Sequence, residues 1–410
     1  MTRREFDLVI WGATGFTGRL VAEHLVRRTG RGGRRVRWAI GGRSRDKLER
    51  LREELGKPSL AIVTGDAADP AAMQSLAARA SVVCSTVGPF ALHGSELVAA
   101  CAGAGTHYCD LTGETQWIRR MIDAHEEAAR ASGARIVHAC GFDSIPSDIG
   151  CLVLQETAVE RYGRACPVVT MGVRRMKGAF SGGTVASLLN VLTEARGDSA
   201  VRKTLADPYS LNPAGERRGP DRPDQKKPEF DSDLDSWTAP FVMAPINTRV
   251  VRRSHAVLGW PWGRQFRYRE SVMTGDGPLG WSRAAAISAA LAGFVTAASV
   301  GPARMVMERL FLPSPGEGPG EAAREAGGFE MRFAGRHPEA PGGHVTARVR
   351  GRRDPGYGAT SRMIGEAALC LVEDAGDPEV GGGFWTPASA IGLRLVERLA
   401  EHADVTFEVA

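Results

Sequence analysis

Apolar and polar positions over the first 150 residues alternate in short blocks, an aliphatic run followed by a helix-periodic stretch and then another aliphatic run. Six runs read as strands: FDLVIW (6–11), VRWAI (36–40), SLAIVTGD (59–66), SVVCST (81–86), THYCDL (106–111) and ARIVHAC (134–140). Strand and helix signals recurring at this interval predict a mostly parallel sheet covered on both faces. The boundaries between runs carry helix-start chemistry. Ser44 is placed to cap a helix running to Leu55, and Asp69 with Pro70 forms a cap and first-turn pair for AAMQSLAARA. Further helices are expected from about Ser95 and, after Gly113 and Glu114, through His125.

Beyond residue 150 the alternation becomes irregular. Residues 211–235 and 313–328 are charged and rich in proline or glycine, which predicts mobile surface excursions. Between them, RRSHAVLGWPWGRQFRYRES mixes arginines with Trp260, Trp262, Phe266 and Tyr268; a strand pair with an aromatic inner side and exposed arginines fits it, as does an acyl-chain or membrane contact. MRFAG and HVTARVRG alternate like antiparallel strands, and a helix is expected from about Thr360. Residues 284–300 are uncharged over 17 positions, short and alanine-rich for a bilayer span, so a core, subunit-contact or membrane-surface helix is expected there, continuing through Arg304, Glu308 and Arg309.

The first strand runs into GATGFTG. Gly12, Gly15 and Gly18 thereby stand where a strand must turn sharply, a backbone must approach a pyrophosphate and a helix must pack closely on the sheet. The helix from about Thr17 then points free N–H groups and its positive dipole end at phosphates. Such spacing alone also fits an ordinary glycine-rich turn, and the next strand decides between the two. VRWAI ends in GGRSRDK, with no acid to hold a ribose 2′-hydroxyl; Arg43, Ser44 and Lys47 instead offer donors and positive charge to a 2′-phosphate. NADP(H) is therefore expected over NAD(H). Asp66, at the end of the third strand, suits either an adenine contact or a plain loop turn. The loops after the later strands, Gly88 to Phe90, Tyr108 to Glu114 and Gly141 to Asp148, lie at the carboxyl ends where a doubly wound sheet gathers ligands.

Composition narrows the function. The 410 residues suffice for two domains, and 43% hydrophobic with 24% charged residues is a globular balance. A net charge of +5 with scattered arginines and no basic face interleaved with aromatics argues against nucleic-acid binding. Seven single cysteines without a CxxC pair predict reduced thiols and no metal site. With no charged leader ahead of an apolar stretch, a cytoplasmic location is expected, with peripheral contact at the inner membrane surface through residues 284–310 as the membrane alternative.

The series GATGFTG, GGRSRDKL, VGPFALHGSELVAACAGAGTHYCDLTGE, GFDSIPSD, DPGYGATSRMIGEAALCL and TPASAIG resembles the saccharopine dehydrogenase-like oxidoreductases and, within them, the bacterial trans-acting enoyl reductases. The resemblance implies an α/β protein with an N-terminal doubly wound Rossmann domain (1–150) and a C-terminal mixed-sheet domain (151–410) for substrate or dimerisation, its last helix (about 386–402) returning to the first. It implies a cofactor site of Gly12, Thr14, Gly15, Phe16, Arg43 and Ser44, with Gly88 and Pro89 beside the nicotinamide. The reaction it implies is NADPH-dependent reduction of a C=C bond in an acyl or polyketide thioester of lipid biosynthesis, alongside a polyketide or fatty-acid synthase.

Such a reaction needs a group to polarise the thioester and one to deliver a proton. Tyr108 is the leading donor expected, at a strand end beside the nicotinamide, with Asp110, Asp143 and Glu114 as alternatives for acid, relay or orientation. Each also has a structural reading: a core tyrosine, loop-capping aspartates, a first-turn glutamate. His93, His107 and His138 read as structural. A saccharopine-type C–N oxidoreductase and a catalytically silent NADP(H)- or lipid-binding protein are the competing readings.

Overall fold

The computed structural model describes residues 4–29, 36–178, 182–298, 318–373 and 380–410. Its first sheet is all parallel: β1 (Phe6–Trp11), β2 (Trp38–Gly42), β3 (Ala61–Thr64), β4 (Ala80–Ser85), β5 (His107–Asp110), β6 (Arg135–Val137) and, from far along the chain, β13 (Gly383–Trp385). The order is β13-β6-β5-β4-β1-β2-β3, so the direction of winding reverses between β1 and β4. A cleft opens at such a reversal. Leu8, Val9 and Ile10 on β1 are all fully buried, which requires cover on both faces, and each contributes about 1.5–3 kcal/mol through burial.

The helices providing that cover follow their caps. Ser44 accepts from Lys47 N at the start of α2 (Arg45–Glu54), and Asp69 accepts from Ala71 N at the start of α3 (Pro70–Arg79). α1 (Phe16–Thr29) follows the glycine turn, α4 (Phe90–His93) and α5 (Ser95–Ala104) follow β4, and α6 (Thr115–Ser132) follows β5. α7 (Ile145–Tyr162) then leads into the second sheet.

That sheet is mixed, in the order β14-β12-β11-β7-β10-β9-β8. β7 (Val168–Lys177) and β10 (Arg267–Gly275) are parallel; β8 (Glu229–Asp231), β9 (Ser236–Ala239), β11 (Gly328–Arg336), β12 (His344–Gly351) and β14 (Val405–Val409) make antiparallel pairs. The antiparallel strands expected at 331–335 and 344–351 are β11 and β12, which pair with each other. α7 and α10 (Ala244–Val257) pack on one face of this sheet. α8 (Gly182–Gly197) and α9 (Ser199–Ala206) lie between the two halves of the sequence, and α12 (Thr360–Glu373) crosses back onto β1, β4 and β5 beside α1.

The arginine- and aromatic-rich stretch divides: Trp262, Phe266 and Tyr268 are buried and Arg264, Arg267 and Arg269 exposed, as expected, whereas Arg252 and Arg253 are not on an exposed strand but buried on α10 together with Arg249. Backbone carbonyls accept from all three: Leu205 and Asp207 from Arg249, Pro208 and Tyr268 from Arg252, Leu211 and Phe384 from Arg253. The same arginines hold Asp221 and Asp224, so the charged 211–235 segment is clamped rather than loose. Finally, α11 (Gly277–Ala298) is long and apolar enough to cross a membrane, but it is no core helix: Leu279, Trp281, Ile287 and Val295 are exposed, and its inner side rests on β9, β10 and α8. Arg304, Glu308, Arg309 and residues 313–317 lie outside the described residues.

Candidate active site

The cofactor cradle grows out of β1. Gly12 has φ +85°, open to glycine at little cost, and its N–H and that of Ala13 both donate to Gly41 O at 2.9 and 3.1 Å. A Cβ on Gly12 would stand 2.5 Å from Val87 Cγ2, and one on Gly18 would overlap the Gly12 carbonyl, so α1 packs directly against the turn. Gly15 is exposed, with nothing but the Gly12 carbonyl near the place of its missing Cβ, and leaves the backbone open to a phosphate. The first N–H groups of α1 have no intrahelical acceptor, as an anion cradle requires. Thr14 sits half-buried in the turn beside Gly42. Phe16 meets Tyr357 edge-on at 4.7 Å between ring centroids, with the Arg324 guanidinium 5.5 Å over its face.

At the end of β2, Arg43 is exposed and its side chain is unpaired among the described residues, next to half-buried Ser44. A free guanidinium and a hydroxyl there fit a 2′-phosphate. Ser44 also caps α2, so the two roles coexist. Asp66 is exposed and makes an Asx turn, accepting from Ala68 N at 3.0 Å.

A cavity of about 220 Å³ lies beside this cradle, between the carboxyl ends of the first sheet and the elements of the second half. The Rossmann loops supply Thr86, Gly88, Phe90, Glu114 and Asp143; Pro89 caps α4 next to them. The far wall comes from Met176 and Gly178 at the end of β7, from Thr184, Ser187, Leu188 and Val191 on α8, and from Met243 and Ile246 by α10. Thr360 closes one side; its Oγ1 donates to Pro355 O at 2.7 Å and accepts from Phe142 N at 2.9 Å. The wall is mainly apolar, and no lysine or arginine is among the described residues lining it.

The two carboxyl groups on this wall differ. Glu114 is fully buried and accepts from Phe90 N at 2.7 Å, Ala91 N at 3.0 Å and Ser187 Oγ at 2.9 Å, tying α4 to α8. Burial raises its pKa against the pull of those donors. The Asp143 carboxyl receives no hydrogen bond from another described residue's side chain, and glycine at 141 leaves it room, since a Cβ there would lie 2.9 Å from Oδ2. Burial raises Asp143 to about 7, with the nearby Asp110 charge adding to the shift and its own backbone N–H opposing it. At neutral pH an appreciable fraction therefore carries a proton that faces the cavity.

Tyr108 and Asp110 are elsewhere. Both are fully buried in the sheet beneath the cavity and neither lines it. The Tyr108 hydroxyl donates to Asp110 Oδ2 at 3.0 Å, the same oxygen meets His138 Nδ1 at 2.7 Å, and Oδ1 accepts from Thr112 N and Ala139 N. Burial, then Asp110, drives the Tyr108 pKa upward. Tyr108, the leading donor expected, thus points from β5 into the core, where the network ties the β5 and β6 loops together. His107 belongs to the same core, accepting from Arg135 N, and His93 ends α4 away from the described lining. The α8 residues Thr184 and Ser187 went unrecognised in the sequence. The uncharged GGTVASLLNVL stretch was their one signal, and it reads equally well as ordinary core.

Residues 8–137 match the saccharopine dehydrogenase NADP-binding domain. Across nearly its whole length the chain is similar to a provisionally named trans-acting enoyl reductase of Mycobacterium tuberculosis, 43% identical with 97% of this chain and 96% of the relative covered. It is likewise similar to the trans-acting enoyl reductases of Mycobacterium bovis, at 38% over 97% and 96%, and Mycobacterium ulcerans, at 36% over 98% and 97%. With a Rossmann cradle free of acid at its ribose end and full-length likeness of this degree, the chain is an NADP(H)-dependent oxidoreductase that belongs to the trans-acting enoyl reductase family of saccharopine dehydrogenase-like proteins.

Proposed function

We propose that this protein reduces the C=C bond of an α,β-unsaturated acyl thioester presented by a separate carrier, with Asp143 as proton donor. The observation that carries this reading is the cavity: largely apolar, without lysine or arginine among its described lining residues, and bearing one cavity-facing carboxyl held near pKa 7. A saccharopine-type substrate carries two amino-acid carboxylates, and burying them without cationic partners is costly. An acyl chain has no such requirement.

NADPH, when bound, supplies the hydride that reaches the β-carbon. Gly12, Gly15 and the start of α1 would hold its pyrophosphate, Arg43 and Ser44 its 2′-phosphate, and Gly88 and Pro89 would border its nicotinamide half. Met176, Leu188, Val191 and Ile246 exclude water and seat the chain. Protonated Asp143 gives its proton to the α-carbon, completing the saturated thioester, and is reprotonated from solvent. Glu114 positions this arrangement by holding the Phe90 turn against Ser187.

Two measurements on the purified protein test the reading. Fluorescence titration should show NADPH bound far more tightly than NADH. NADPH oxidation should then require an enoyl thioester such as crotonyl N-acetylcysteamine. Oxidation driven by an amino acid and a keto acid, with no response to the thioester, would overturn the proposal in favour of C–N chemistry.

A further inference from the structure

The outer face of the second sheet carries more positive charge than its own carboxylates neutralise. Val169, Met171 and Val173 on β7 and Phe329, Met331 and Phe333 on β11 are buried beneath the helices, so the alternate positions stand on the opposite side. There, four arginines from three adjacent strands converge on Glu330: Arg174 at 3.0 Å, Arg350 at 3.3 Å, Arg332 at 3.4 Å and Arg348 at 3.9 Å. Glu408, 4.0 Å from Arg348, is the second carboxylate of the group among the described residues, which leaves two positive charges uncompensated. The four side chains remain 37–50% exposed. One glutamate uses only part of four guanidinium forks, and the remaining donors suit incoming carboxylates.

The cluster leads to the cavity. β7 continues from Arg174 through Arg175, Met176 and Lys177 to Gly178, and Met176 and Gly178 line the cavity. At about 3.3 Å per strand residue, Arg174 lies roughly 7–13 Å from those rim positions. Arg175 and Lys177 are exposed and form no ion pair with another described residue, so the positive strip extends to the rim.

We propose that this arginine-rich sheet face docks an acidic surface on the separate protein that delivers the acyl thioester, a proposal that rests on the enoyl-thioester reading above. A second copy of this chain would bring like charges together. A bilayer surface fits less well, because membrane-surface elements also insert apolar side chains. On the strands that carry this face, the large apolar side chain exposed among the described residues is Met176, which belongs to the cavity wall; none lies on β11, β12 or β14, and several are on α11 instead.

The experiment is anisotropy of a labelled, crotonyl-loaded acidic acyl carrier protein titrated with the full-length protein, compared with R174E/R350E. Wild type is expected to bind in a salt-sensitive manner and the charge reversal to weaken binding at least about tenfold. Reduction of free crotonyl N-acetylcysteamine should be unchanged. No carrier binding by wild type, or equal binding by the variant, overturns the proposal. So does a variant that keeps the carrier but loses either flotation with anionic vesicles or a dimer seen by light scattering. If R174E/R350E lacks a thermal transition, R348Q in the same assay decides. Salt-sensitive carrier binding without reduction of any crotonyl thioester would sink the enoyl reading and leave the docking face standing.

Discussion

Asp143 is a carboxylic acid whose ordinary pKa lies far below neutrality, and its placement against an apolar cavity raises it to about 7. A proton donor is competent below its pKa, so kcat/KM for the thioester should be flat at acid pH and fall as pH rises through about 7. Asp143→Asn should remove that limb and lower kcat by about 10²-fold or more, since general acids contribute about 10²–10⁴-fold. Retention of the limb in Asp143→Asn would assign the proton to another group. At the other end of the site, Arg43→Ala should weaken NADPH by about 1.5–3 kcal/mol, the value of a hydrogen bond to a charged group, with NADH binding unaffected. Equal losses for both nucleotides would mean that Arg43 does not touch the 2′-phosphate. The glycine turn and the place of Arg43 at the end of β2 were legible in the sequence because each follows from a local strand-and-turn pattern. Asp143 could not be ranked above Tyr108 in the same way: both follow strand ends, and which one faces the cavity depends on whether the side chain points into or out of the sheet, a matter of tertiary packing.

Single elements show the same division. The helix expected from Thr360 begins there, yet what it packs against has no local signature. Glu366 on α12 is fully buried between His24 at 2.8 Å and Arg28 at 2.7 Å, both from α1, and Arg398 at 3.1 Å from α13 (Arg394–His402). Three elements thus share one carboxylate, α1 lying more than 300 residues before the other two. Burial alone would raise its pKa; the hydrogen bonds from His24 and Arg28 and the charge of Arg398 outweigh burial and hold it at about 2. A carboxylate with a folded pKa below its unfolded value stabilises the fold above the unfolded value and loses that contribution as pH falls through the folded one. Stability should therefore drop between pH 4.5 and about 2, and Glu366→Gln should flatten that part of the denaturation profile while lowering the melting temperature at pH 7. An unchanged acid slope in the variant would refute the assignment. The α10 arginines follow the same logic. Their charge reads as surface in the sequence, and only the fold supplies the carbonyls of residues 205–211 that satisfy them in the interior.

For the whole molecule, the two halves expected from the sequence are present as two sheets, but the chain does not keep them apart. β13 adds an edge strand to the first sheet beside β6, and α12 lays Met363, Ile364, Ala367, Ala368 and Leu371 in the interior against β1, β4, β5 and α1. Gly365 allows that approach, since a Cβ there would meet the His24 ring at 2.8 Å. Asp148, at the start of α7, adds a buried tie by accepting from Ser254 Oγ at 2.5 Å and from Ala388 N at 2.8 Å. The cofactor cradle thus rests on a sheet partly covered by residues more than 200 positions downstream. A fragment comprising residues 1–150 would expose the apolar surface that α12 covers and leave the β6 edge open. Such a fragment is expected to bind a hydrophobic dye, to lack a cooperative thermal transition and to bind no NADPH, whereas the full chain binds NADPH and melts cooperatively. A fragment that melts sharply and retains NADPH would show that the first sheet folds without its downstream cover, and the nucleotide site would then be an independent module to which the cavity-forming half was added.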